Sequence, residues 1–127
     1  MLLAPLTRIV LACAIFLAGT ATALAHAFLD HSDPGVGSTS TVPPTQVRVW
    51  FSEALNPALS SLIVTDEAGQ QVGQGKATVD PNAATLLEVP LLPLAPGAYR
   101  VIWRAVTLDA HRTEGHFTFT VRPQPPR

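Results

Sequence analysis

The sequence predicts an all-β fold, a Greek-key sandwich or small barrel of about seven strands, and three observations carry that prediction. Residues 26–127 hold 11 prolines and 7 glycines spread along their length, which breaks nearly every window long enough for a stable helix. The segments between the breaks are short and alternate apolar with polar residues, the period of a half-buried strand. Turn residues recur between them at about 8 to 15 residues, the spacing of sandwiches and barrels.

Taken in order, Ala27 to His31 forms a first strand, ended by Asp33-Pro34-Gly35. Gln46 to Phe51 forms a second, with Val47, Val49 and Phe51 on one face and Gln46, Arg48 and Trp50 on the other. Helix is limited to a turn near Ala54 to Leu59. Leu62 to Thr65 is a strand closed by the turn residues Asp66 to Gly69, and Gln70 to Val79 is a weaker, Gly-spaced strand region. Thr85 to Val89 follows the turn Asp80-Pro81-Asn82. Pro96-Gly97 opens the strand Ala98 to Val106, which turns Tyr99, Val101, Trp103 and Ala105 to one side. His116 to Val121 closes the domain with Phe117, Phe119 and Val121 inward, and residues 123–127 form a Pro-rich tail.

Residues 1–25 stand apart from this pattern. Nineteen of them are apolar, Arg8 is the one charge before Asp30, and Ile9 to Ala18 is wholly apolar. Ala23-Leu24-Ala25 supplies small residues at both specificity positions of a leader peptidase, so a secretory signal cleaved between Ala25 and His26 is expected. The apolar run is broken by Gly19, Thr20 and Thr22 and is short for a bilayer core of about 30 Å. Residues 26–122 then form one domain, free in solution outside the cytoplasm. With 7 basic and 9 acidic side chains, residues 26–127 lack the positive field that nucleic-acid or anionic-membrane binding requires.

Cleavage also removes Cys13 and Met1, the chain's one cysteine and one methionine, so no soft metal ligand remains. It leaves His26 as the first residue. An N-terminal histidine offers its α-amine and its imidazole Nδ1 to one metal ion as a chelate, a strong arrangement for divalent copper. The amine titrates near 8 rather than near 10, so displacing its proton costs less than for a lysine. Asp109-Ala110-His111 supplies a carboxylate and an imidazole at i, i+2, on one side of an extended backbone. One amine, two imidazoles and a carboxylate make a nitrogen and oxygen set that favours tetragonal Cu(II). Two readings stand for Glu53: an exposed loop acid, or a residue that orients an imidazole or takes a weak fifth position. His31 and His116 read as solvent-facing or hydrogen-bonded residues. Nucleophilic catalysis has no support, since no Gly-x-Ser-x-Gly elbow is present and residues 69–75 lack the ending of a phosphate loop.

Several segments together resemble the periplasmic copper-binding family CopC. They are His26-Ala27-Phe28-Leu29, Ser32-Asp33-Pro34, Val49-Trp50-Phe51-Ser52-Glu53, Pro96-Gly97-Ala98-Tyr99-Arg100-Val101-Ile102-Trp103, and Asp109-Ala110-His111 leading to Gly115-His116-Phe117-Thr118-Phe119. The resemblance implies an immunoglobulin-like sandwich and one Cu(II) held by His26, Asp109, His111 and, in some members, the acid at Glu53. It also implies a non-enzymatic role in copper sequestration, transfer or resistance, with a membrane copper transporter of the CopD type as partner. Two departures stand out. Ala110 replaces the family's usual glycine, which opposes a positive φ and is expected to shift the loop. The methionine-rich Cu(I) segment of some members has no counterpart here. The alternatives are a metal-free exported sandwich module and an enzyme like the lytic polysaccharide monooxygenases, which also bind copper through an N-terminal histidine. The enzyme needs an open coordination position and a flat substrate face, for which a domain of this size leaves little room.

Overall fold

The computed structural model describes residues 28–126. These form eight strands and no helix: β1 Leu29–Asp33, β2 Thr39–Ser40, β3 Gln46–Phe51, β4 Ser61–Thr65, β5 Thr78–Asp80, β6 Ala83–Pro90, β7 Gly97–Val106 and β8 Arg112–Val121. One sheet has the order β1-β3-β6-β5 and the other β2-β8-β7-β4. All pairings are antiparallel except β2 with β8, where Thr39 and Ser40 run parallel to Thr120 and Val121.

The alternation read from the sequence is the reason for this architecture. Val47, Val49 and Phe51 of β3 meet Leu62 and Val64 of β4, Val101 and Ala105 of β7, and Phe117, Phe119 and Val121 of β8 in one buried cluster between the sheets. Each of these side chains is removed from water almost completely, a gain of about 1.5–3 kcal/mol for a large aliphatic or aromatic residue. Tyr99 stacks on Phe119 and satisfies its buried hydroxyl by donating to the Ala95 carbonyl.

The differences from expectation are local. β2 is too short to show a period, and Gln70 to Val79 is mostly loop. There only Thr78 and Val79 enter β5, while Gln71 and Gly73 make isolated bridges to Thr65 and Leu91. The segment Ala54 to Leu59 holds, as expected, no more than a single turn: the Asn56 carbonyl accepts from the Leu59 and Ser60 amides, and its side-chain Oδ1 from the Ala58 amide. β8 begins at Arg112, four residues before the expected His116. The long β7–β8 pairing runs in unbroken register from Gly97↔Val121 to Val106↔Arg112, and its closing turn, residues 107–111, carries Asp109 and His111.

Candidate metal centre

The turn is closed by its own backbone. The Thr107 amide donates to the His111 carbonyl at 2.9 Å and the Ala110 amide to the Thr107 carbonyl at 2.9 Å. This closure requires a left-handed residue, and Ala110 supplies it at φ 72°. The alanine therefore does not prevent the positive φ; the hydrogen-bonded hairpin imposes it against a cost of about 1–2 kcal/mol.

Asp109 and His111 come together, but through the turn with its left-handed Ala110 and not along the extended backbone on which their i, i+2 spacing is read. His111 Nδ1 lies 3.0 Å from Asp109 Oδ2, and the Thr107 hydroxyl donates to Asp109 Oδ1. The same hydroxyl accepts from the His111 amide at 3.1 Å. Asp109 is held below the ordinary carboxylate range, first by the Thr107 hydroxyl and then by the hydrogen bond and charge of His111. Both side chains are exposed, whereas Thr107 is buried. Carboxylate–imidazole pairing of this kind fixes the ring's orientation in metal sites. Thr107 was not legible as part of the site: it falls just past the strand Ala98 to Val106, and only its position two before the aspartate hints at more.

Two further segments arrive at the same end of the sandwich. The chain entering β1 is tied to the residue after β3, because the Phe28 amide donates to Ser52 Oγ at 2.9 Å and the Ser52 amide to the Phe28 carbonyl at 2.9 Å. Three residues on, Leu55 bridges Thr107, and the Asn56 amide donates to the Val106 carbonyl at 2.7 Å. Glu53 sits half-buried between these two attachments. His26 lies outside the described residues.

The other histidines are elsewhere. His31 stacks on Trp50 at a ring-centroid distance of 4.3 Å and contacts Asp30 through Nδ1 at 2.9 Å. His116 is exposed on the outer face of β8, opposite Ile102. Among the described residues no three His, Cys, Asp or Glu side chains converge on one point; Asp109 and His111 stand as a pair.

Comparison with known proteins agrees with this architecture. The CopC domain model matches residues 29–122. Copper resistance protein C of Pseudomonas syringae pv. tomato is 36% identical over 119 residues, covering 85% of this chain and 92% of the relative. Protein YobA of Escherichia coli K12 is 33% identical over 104 residues, covering 81% and 84%. The crystal structure of CopC from Methylosinus trichosporium OB3b superposes with a TM-score of 0.73 at 29% identity, over 80% of this chain and 99% of that one. From its matched domain, its relatives and its two-sheet fold, the chain belongs to the CopC family.

Proposed function

We propose that the chain is an exported, periplasmic Cu(II)-binding protein without enzymatic activity that sequesters copper or passes it to a membrane transporter of the CopD type. Cleavage after Ala25 makes His26 the first residue, and one Cu(II) is bound by its α-amine and imidazole together with Asp109 and His111, with Glu53 alongside. The observation that carries this reading is the attachment of Phe28 to Ser52 and of Leu55 to Thr107. Those contacts bring the start of β1 and the Asp109–His111 turn to one end of the sandwich. His26 precedes Phe28 by two residues, a reach of at most about 7 Å. The imidazole and carboxylate of the turn offer one nitrogen and one oxygen donor, and an N-terminal histidine supplies two further nitrogens. Such a set suits Cu(II) over Cu(I), and the relatives named for copper resistance support copper as the cargo.

The test is Cu(II) titration of the processed protein and its histidine variants. His111→Ala is expected to weaken binding by about tenfold or more, while His31→Ala and His116→Ala leave it nearly unchanged. A larger loss in His116→Ala would move the site to the outer face of β8.

A further inference from the structure

We infer that Thr107 is the positioning residue of this centre, its hydroxyl clamping the Asp109 carboxylate and the His111 backbone into one geometry before metal arrives. The inference rests on the copper-binding reading above and deepens it. Thr107 is 2% exposed, at the junction of β7 and the turn. A threonine hydroxyl has one proton and two lone pairs, so donation to Asp109 Oδ1 and acceptance from the His111 amide are made together. The His111 carbonyl, at 3.4 Å from the hydroxyl, competes poorly with a charged and nearer acceptor.

In metal-free protein the carboxylate is held on both oxygens, Oδ1 by the Thr107 hydroxyl and Oδ2 by the His111 ring; the ring contact gives way when both side chains bind one ion, and the Thr107 contact is the one that stays. Asp109 is exposed and has little packing of its own to fix its rotamer. Without the clamp it must be ordered when metal binds, and that entropy is lost from the affinity. Thr107 is itself anchored, because its backbone bridges Leu55 and pairs with His111. Its β-branched side chain also has restricted χ1 freedom. A rigid buried group thus orients two exposed donors through direct hydrogen bonds.

The experiment measures Cu(II) affinity by chelator competition, the electron paramagnetic resonance spectrum of bound Cu(II), and the melting temperature of metal-free protein. It compares wild type with Thr107→Val, which keeps the shape and removes the hydroxyl, and Thr107→Ser, which keeps the hydroxyl. Thr107→Val is expected to weaken Cu(II) binding by about 10- to 100-fold and to shift the spectrum, as loss of an orienting partner does in metal sites. Thr107→Ser is expected to restore both towards wild type. Wild-type affinity and spectrum in Thr107→Val would overturn the assignment, as would equal weakening of the two variants in step with their melting temperatures. Failure of the copper reading appears separately, as wild-type protein that binds no Cu(II). The clamp is then decided on metal-free protein by nitrogen-15 shifts of the His111 ring: the Nδ1–H tautomer is expected in wild type and lost in Thr107→Val, and identical shifts would overturn it.

Discussion

Ala110 shows how a single residue is overruled by the element it belongs to. Its φ of 72° costs a side chain with a Cβ about 1–2 kcal/mol, while glycine adds about 0.5–1 kcal/mol of unfolded-state freedom. The first quantity is larger, so Ala110→Gly is expected to stabilise the protein by about 0.5–1 kcal/mol. Urea unfolding checks this: the midpoint should rise with an unchanged m-value, and a fall would mean that the turn is not strained. From the sequence, alanine at this position argues for a shifted loop, because residue preference is visible there and the hydrogen bonds that close the hairpin are not. Asp109 and His111 were legible through their spacing; the buried hydroxyl that joins them was not. That hydroxyl and His111 hold the Asp109 carboxyl below the ordinary value of 3.8. A depressed folded value means that the stabilising contribution of Asp109 is present above the unfolded value and lost as pH falls through the folded one. Carbon-13 titration of metal-free protein should place the Asp109 midpoint below 3.8. The stability advantage of wild type over Asp109→Asn should shrink as the solution is acidified through that region. An ordinary midpoint would remove the hydrogen bonds from the account.

At the scale of the element, the β7–β8 hairpin decides where the site stands, and half of it was hidden in the sequence. Arg112 to Gly115 contains no apolar residue, so alternation reveals β8 only from His116 onward. The inward positions there are Thr113 and Gly115, and register with β7 rather than hydrophobicity makes them strand. Gly115 has a specific reason: a Cβ at this position would lie 2.6 Å from Trp103 Cζ2 and 2.9 Å from Cε2. Trp103 in turn meets Phe51 edge-on at 5.2 Å, so the indole cannot retreat without unpacking the other sheet. Gly115→Ala is therefore expected to cost about 1–3 kcal/mol through overpacking and to change tryptophan emission. Unchanged stability and emission together would show that Trp103 has room to move. The shortest pieces, β2 and β5, were illegible for a simpler reason. Two or three residues carry no period, and it is the partner strand that makes them strands.

Across the whole molecule, the two apolar faces were legible because β3, β7 and the end of β8 keep strict alternation, and those faces build the core. Of the proposed donors, Asp109 and His111 belong to none of those buried positions and lie on a turn, while His26 is proposed to begin the processed chain. The topology joins these distant stretches by tying Phe28 to Ser52 and Leu55 to Thr107, contacts that no local pattern announces. Under the proposed function, metal bound there stabilises the fold by mass action. The central claim is that the α-amine and imidazole of His26 complete the half-site made by Asp109 and His111. Its most direct test compares Cu(II) affinity, by chelator competition, of protein starting at His26 with protein carrying one extra residue before it. The form starting at His26 should bind one Cu(II), and the extended form should bind it about 100-fold more weakly or worse. Equal affinity in the two forms would contradict the claim.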